Sequence, residues 1–132
     1  MNVLYFLTPK SQIKYISDFM SVRQALEVFE HYRFTVVPLL DKDGCYIGSL
    51  DEGDLLFFLK SHPFSKLEDF NDVNITKVPR HRDYGSVNGL TDINEIIGAS
   101  FDQNFVPVLD DQKHFIGIIT RKSIISYLAD KK

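Results

Sequence analysis

The chain repeats one pattern of residues, and this repeat limits its possible folds more than any other feature. Residues 36–59 (VVPLLDKDGCYIGSLDEGDLLFFL) return without a gap 69 residues later as residues 105–128 (FVPVLDDQKHFIGIITRKSIISYL), and seven of the 24 paired positions are identical. Two copies of about 60 residues are each marginal as independent domains, so we expect them to share a core. The sequence therefore predicts one module made of two related repeats.

Each copy predicts the same order of elements, β-α-β-β-α, from its hydrophobic periodicity and its turn residues. For the first copy we predict a strand at 13–16 and then a helix capped by Ser17 or Asp18, with Val22, Leu26 and Phe29 on one face. Strands at 35–40 and 45–50 follow, joined by a turn at Gly44. Asp51 then opens a helix at 55–60. A polar connection follows, with a short helix expected near Leu67 and Phe70. For the second copy we predict a helix at 90–100 capped by Thr91 or Asp92, strands at 105–109 and 114–119, and a helix at 121–129. The fold class is α+β, with helices covering a small sheet.

Composition excludes several classes of protein. The net charge of −3 does not favour nucleic-acid binding by bulk charge, and the single cysteine, Cys45, excludes an internal disulfide. The apolar runs are too short for a membrane span, and the first residues do not resemble a signal peptide, so we expect a cytoplasmic protein. The four histidines lack the spacing of metal ligands, and no catalytic motif is present. We therefore expect no metal site, no catalytic residues and no cofactor.

The junction between the last strand and helix of each copy differs in charge. The second copy reads Thr120-Arg121-Lys122-Ser123, where a helix N-terminus, a hydroxyl and two cations favour a bound phosphate. An equally open alternative is that Thr120 only caps the helix and that both cations are solvated. A second basic patch, residues 77–82, makes Arg80 a candidate further contact to phosphate.

The first copy reads Asp51-Glu52-Gly53-Asp54 at the same junction. We expect Asp51 to cap the helix, and the three acidic residues to repel a phosphate. The Asp54 carboxylate could accept hydrogen bonds from a ribose diol, and a purely structural role is the alternative. The sequence thus favours the second copy as the phosphate site.

The repeated pattern resembles the tandem cystathionine-β-synthase (CBS) domain pair, also called a Bateman module. The motifs that carry the resemblance are Thr8-Pro9, residues 36–41, Gly44 and residues 48–54 in the first copy, and Val78-Pro79, residues 105–110 and residues 117–123 in the second. The resemblance covers nearly the whole chain and divides it into a first repeat (1–60), a connection (61–74) and a second repeat (75–132). It implies that the repeats pack through their sheets as a pseudo-two-fold pair.

The family resemblance also implies two clefts between the repeats that bind adenosine-containing nucleotides. It implies a phosphate contact from Thr120, beside which we expect Arg121, Lys122 and Arg80 to contact phosphate. It implies a base pocket formed by Phe105, Val106, Pro107, Ile119 and Val78. Asp54 matches the family's ribose-binding aspartate, and Ser123 stands at the equivalent position of the second copy. Asp51 replaces the family's threonine in the first copy, so both copies depart from the full motif.

The second half is similar to small stand-alone CBS proteins of Gram-positive bacteria that bind cyclic di-AMP. The resemblance implies a non-catalytic sensor of cyclic di-AMP, AMP or ATP, which acts as a homodimer on a partner protein in trans. A ligand-free dimerisation or protein-interaction module with degenerate sites is the alternative. A nucleotide hydrolase is a further alternative, which the lack of a metal cluster or a base–nucleophile pair disfavours.

Overall fold

The computed structural model describes residues 2–130 and has an α+β fold with two sheets, which confirms the predicted class. The strands are β1 (Thr8–Pro9), β2 (Ile16–Ser17), β3 (Val36–Leu40), β4 (Tyr46–Asp51), β5 (Val87–Asn88), β6 (Phe105–Leu109) and β7 (Phe115–Thr120). The helices are α1 (Val22–Tyr32), α2 (Glu52–Lys60), α3 (Ile93–Ala99) and α4 (Arg121–Asp130). Short 3-10 helices span Val3–Phe6, Lys10–Gln12, Leu67–Phe70 and Ile75–Lys77.

The chain forms two units whose boundaries differ from those of the sequence repeats. The first-repeat unit contains Tyr15–Asp43 and Ile47–Asp83. The second-repeat unit contains the described residues up to Lys14, Gly44–Tyr46 and the described residues from Tyr84 onward. The N-terminal segment therefore belongs to the unit of the second repeat, and the segment at residues 75–83 belongs to the unit of the first.

The first-repeat unit is built on the sheet order β2-β3-β4. Its core contains Val22, Ala25 and Phe29 of α1, together with Leu39, Leu50 and Leu55. The predicted face of α1 is thus correct at Val22 and Phe29, while Leu26 packs at the edge of this core. The short helix predicted near Phe70 is present, and Phe70 is buried.

Two predictions for the start of this unit are wrong. The strand is Ile16–Ser17 rather than 13–16, because it begins only where the chain pairs in parallel with Leu39 and Leu40. The cap of α1 is Ser21, not Ser17 or Asp18. Its hydroxyl accepts a hydrogen bond from the Gln24 backbone N–H, and the Gln24 side chain accepts one from the Ser21 N–H. This capping box satisfies two amide donors at once and so fixes the start of the helix.

The second-repeat unit is built on the sheet order β1-β7-β6-β5. Strand β1 runs antiparallel to β7, with Thr8 opposite Ile118 and Pro9 opposite Gly117. Helix α3 starts at Ile93 rather than Leu90, because the side chain of Asp92 caps it by accepting from the Asn94 N–H. The core of this unit includes Val106, Val108, Ile119 and Ile124.

The turn between β3 and β4 follows the sequence prediction. Gly44 has φ 84°, in the left-handed region that glycine adopts without steric cost. The equivalent position of the second copy, 69 residues later, is Lys113, which has φ 68°. The two repeats therefore share a backbone conformation at this turn although only one of them has a glycine there.

Candidate functional site

Two pockets lie along equivalent helices, one in each unit. The first-repeat pocket takes Asp54, Phe57 and Phe58 from α2 and Ser61 from its C-cap, and the second-repeat pocket takes Ser123, Ser126, Tyr127 and Asp130 from α4. Each member of the second set lies 69 residues after its counterpart in the first. The spacing i, i+3, i+4, i+7 defines one face of a helix. The internal repeat therefore extends from the fold to the pockets.

The first-repeat pocket has a volume of about 530 Å³ and combines three kinds of side chain. Helix α2 forms one part of its lining, and the segment that starts at Lys77 forms the other. The full lining is Asp54, Phe57, Phe58, Ser61, His62, Lys77, Pro79, Arg80 and His81. A carboxylate, two phenyl rings and two permanent cations thus face one cavity.

Asp54 connects the start of α2 to the opposite lining segment. One carboxylate oxygen accepts a hydrogen bond from the Asp51 N–H at 3.0 Å, and the other accepts one from the His81 N–H at 3.0 Å. Asp51 in turn caps the helix by accepting from the Asp54 N–H at 2.7 Å, as the sequence predicted. Burial raises the pKa of Asp54, and this effect outweighs the two N–H hydrogen bonds, which lower it.

Arg80 lies in the lining of this pocket and is paired with Asp83. Its Nε donates to Asp83 Oδ1 at 2.8 Å, and one terminal nitrogen donates to Oδ2 at 3.3 Å. Asp83 Oδ1 also accepts the Ser49 N–H at 3.0 Å. A methyl group on Gly48 would overlap this carboxylate, so glycine at that position gives Asp83 the room to approach β4.

We expect Asp83→Asn to change how stability depends on pH. Burial would raise the pKa of Asp83, but the hydrogen bonds from Arg80 and Ser49 and the Arg80 charge together hold it below the ordinary value of 3.8. A lowered carboxyl pKa contributes stability that is fully present above the unfolded value and is lost as the pH falls through the folded one. Urea unfolding should therefore show a difference between wild type and Asp83→Asn that is constant from neutral pH down to the unfolded pKa. This difference in the free energy of unfolding should shrink below the unfolded-state pKa. A difference that grows on acidification would contradict the prediction.

Aromatic packing fixes one end of the first-repeat pocket. The His62 ring lies 4.5 Å from the Phe58 ring and 5.9 Å from Phe70, measured between centroids. His62 Nδ1 also lies 2.8 Å from the Phe58 carbonyl oxygen. These contacts hold Phe58 at the edge of the core, whereas Phe57, on the same helix, is 66% exposed. A planar base could stack on such a surface.

The second-repeat pocket has a volume of about 620 Å³ and a different charge pattern. It is lined by Tyr5, Phe6, Thr120, Lys122, Ser123, Ser126, Tyr127 and Asp130. The Phe6 and Tyr127 rings meet edge to face at 5.1 Å. One lysine and one aspartate contribute opposite charges, so the lining carries less net positive charge than that of the first-repeat pocket.

The structure brings together three of the residues that the sequence grouped at the second junction: Thr120, Lys122 and Ser123. Thr120 Oγ1 accepts the Ser123 N–H at 3.1 Å, and the Ser123 hydroxyl donates to the Thr120 carbonyl oxygen at 2.9 Å. This is the capping alternative that the sequence left open. A phosphate at this helix start would compete with the Thr120 side chain for the Ser123 amide.

Arg121 and Arg80 lie outside the lining of the second-repeat pocket. Arg121 Nε donates to the Ser100 carbonyl oxygen at 2.8 Å, and the Arg121 backbone N–H donates to the Asn104 carbonyl oxygen. These contacts tie the start of α4 to the end of α3. Arg80 belongs to the first-repeat unit, beside Asp54. The role in phosphate binding that we expect for both residues from the sequence stays a prediction.

The five residues expected to form a base pocket are buried. Val106 and Ile119 lie in the core of the second-repeat unit and Val78 in that of the first, each at most 2% exposed. Phe105 packs edge to face on Tyr84 at 4.9 Å, and Pro107 is buried in β6. None of the five lines either pocket. Their role in base binding also stays a prediction.

Sequence reasoning missed most of the aromatic lining of both pockets: Tyr5, Phe6, Phe57, Phe58 and Tyr127. The signal for three of them was present, because Phe57, Phe58 and Tyr127 follow Asp54 or Ser123 at helical spacing. Tyr5 and Phe6 gave no such signal, since the N-terminal segment joins this unit through the pairing of β1 with β7 and through the packing of Val3 and Phe6 in its core.

Two further observations concern residues 2–130. No three or more His, Cys, Asp or Glu side chains among them are grouped in a way that could hold a metal ion. None of the helices in this part of the chain is long and apolar enough to span a bilayer.

The CBS domain family matches this chain twice, at residues 7–61 and 75–130. The chain therefore belongs to the CBS domain family and carries a tandem pair of these domains. This match indicates no catalytic family. No curated protein sequence matches the chain.

Solved structures of CBS proteins have the same fold. The structure of CbpB in complex with c-di-AMP has a TM-score of 0.86 and 22% identity, over 98% of this chain and 85% of that one. A CBS domain protein from Streptococcus pneumoniae TIGR4 has a TM-score of 0.84 and 27% identity, over 95% and 84%. CBSX2 in complex with AMP has a TM-score of 0.75 and 23% identity, over 99% and 98%.

Proposed function

We propose that this CBS pair is a regulatory module that senses an adenosine-containing nucleotide, either cyclic di-AMP or AMP/ATP, and signals to a partner protein. The observation that carries the proposal is the first-repeat pocket, where a carboxylate, phenyl rings and cations line one cavity. A nucleotide has a ribose, a base and phosphates that match these three groups. The c-di-AMP and AMP complexes of structural relatives support the same ligand class.

We assign a role to each part of the first-repeat pocket. Phe57 and Phe58 would pack against the base, and Asp54 would accept the ribose hydroxyls on the lone pairs that its two backbone partners leave. Lys77 and Arg80 would contact phosphate. The sequence predicted repulsion of phosphate by the acidic residues of the first copy. The two cations of the neighbouring segment offset that charge.

The second-repeat pocket would take a ligand of lower charge or a single phosphate. Thr120, Lys122 and Ser123 supply two hydroxyls and one cation, and Phe6 and Tyr127 supply aromatic surface. The two pockets could bind the same cyclic dinucleotide, or each could bind a different ligand. Ligand binding alters signalling only through unequal affinity for two states of the protein. A partner protein that distinguishes these states would read the signal.

Isothermal titration calorimetry with cyclic di-AMP, AMP and ATP tests the proposal. We expect at least one of them to bind wild type, and Arg80→Gln to weaken that binding about tenfold because a charge-assisted contact to phosphate is lost. Arg23→Gln is the matched control, since Arg23 is also paired with an acid on its own segment, Glu27, but lies outside the pocket. Lys122→Gln tests the second-repeat pocket in the same way.

Silence from all three nucleotides would favour the alternative of a ligand-free interaction module. One observation supports that alternative: side chains already cap the starts of α2 and α4, at Asp51 and Thr120. Apolar side chains on these helices are also exposed, among them Leu56 and Ile125. A homodimer is expected under both functions, and a molar mass equal to one chain at micromolar concentration would contradict it.

A further inference from the structure

Arg80 is the pocket cation with the best geometry for a phosphate, yet one of the two donor edges of its guanidinium is already engaged. The edge of a guanidinium that carries Nε and one terminal nitrogen matches two oxygens of a carboxylate or a phosphate. In this structure both of those nitrogens donate to Asp83, at 2.8 and 3.3 Å. A phosphate that used this edge would have to displace the carboxylate.

Asp83 has one hydrogen bond that does not involve Arg80. Its Oδ1 accepts the Ser49 N–H of β4 at 3.0 Å, and Gly48 leaves the space for this approach. Asp83 is not part of the pocket lining, whereas Arg80 is. Asp83 would thus keep its bond to the Ser49 N–H when a phosphate takes its place on Arg80.

We propose that Asp83 sets the anion affinity of the first-repeat pocket by competing with the ligand's phosphate for Arg80. This inference rests on the proposed function, because it assumes that the ligand of the first-repeat pocket carries a phosphate. It assigns the control of phosphate binding to Asp83, a residue outside the pocket lining. The pair is partly exposed, with side-chain accessibilities of 25% for Arg80 and 43% for Asp83. Exposed pairs are weak, so a phosphate can replace the carboxylate at modest cost. Asp83 therefore weakens the binding of any ligand phosphate that uses this edge of Arg80.

Binding of inorganic pyrophosphate tests this competition without relying on a nucleotide. Asp83→Asn removes the charge that holds Arg80 but keeps an oxygen that can accept the Ser49 N–H, so we expect the variant to fold. We expect it to bind pyrophosphate roughly threefold or more tightly than wild type in calorimetry. Adenosine, which has no phosphate, should bind equally to both proteins or to neither.

Two further variants separate local competition from a general change in charge. Glu52→Gln removes one negative charge from an exposed residue of α2 outside the pocket lining, and it should raise pyrophosphate affinity far less than Asp83→Asn. In an Arg80→Gln background the gain from Asp83→Asn should disappear, because the two residues act as a pair.

The pyrophosphate titrations distinguish competition by Asp83 from an orienting role of Asp83. Equal or weaker pyrophosphate binding by Asp83→Asn would overturn the proposal and would indicate that Asp83 orients Arg80 for the ligand. A gain that persists without Arg80 would also overturn it, as would no pyrophosphate binding by any variant. Competition for pyrophosphate together with no binding of any nucleotide would uphold this inference and refute the nucleotide-sensing function.

Discussion

We expect Gly117→Ala to lower the free energy of unfolding by about 3 kcal/mol, the upper end of the usual cost of overpacking. Gly117 lies opposite Pro9, where β1 pairs with β7. A β-carbon at this position would overlap the Thr8 carbonyl oxygen and lie 3.1 Å from Pro9 Cα. Both neighbours are backbone atoms, so the strand itself must move. Chemical denaturation monitored by circular dichroism measures the change.

Gly98→Ala is the matched control for this prediction. Gly98 lies near the end of α3, and a β-carbon there meets no atom within 4 Å. Alanine should therefore leave stability unchanged or raise it by up to about 1 kcal/mol through helix propensity. If Gly117→Ala were as stable as Gly98→Ala, the close pairing of the N-terminal segment with β7 would be refuted.

We expect Asp54→Ala to lower the free energy of unfolding by about 2 kcal/mol and to abolish nucleotide binding in the first-repeat pocket. The side chain is only 6% exposed and accepts the backbone N–H groups of Asp51 and His81. Its removal leaves those donors without their partner, at about 1–3 kcal/mol where water cannot replace it. Relief from burying a carboxylate, which raises the pKa of Asp54, offsets part of this cost.

Ser123→Ala is the equivalent change in the second repeat and should cost less than about 1 kcal/mol. The hydroxyl donates to the Thr120 carbonyl oxygen, but the Ser123 N–H keeps its bond to Thr120 Oγ1 after the substitution. Paired urea titrations and calorimetry of both variants make the comparison. Equal losses in the two variants would show that Asp54 does no more than complete the capping box with Asp51.

The repeat and the local chemistry of caps and turns made much of the fold predictable. The strands at 36–40 and 105–109 and the cap at Asp51 follow from β-branched or apolar runs and from an acidic residue before a helix. The start of α1 was missed. Ser17, Asp18 and Ser21 are all good caps, and the distinguishing signal, a glutamine three residues after Ser21, was present in the sequence but was not used.

Some residues of the candidate site were predicted from the sequence, and others were identified only in the structure. Asp54, Thr120 and Ser123 were found from the sequence, because the repeat aligned them at a strand-to-helix junction. The sequence assigned Arg80 to the second repeat, but the structure places it in the lining around Asp54. Its pairing with Asp83 depends on the short approach to Gly48 and Ser49, which no local pattern indicates.

The sequence by itself determined the class of fold, the duplication and the opposite charges at the two helix starts, because these depend on residues close together in the chain. Only the tertiary structure decided which segment lines which pocket. Residues 77–81 join α2, and Tyr5 and Phe6 join α4, through contacts between distant parts of the chain. Periodicity and capping act over a few residues, whereas such contacts depend on the packing of each unit as a whole.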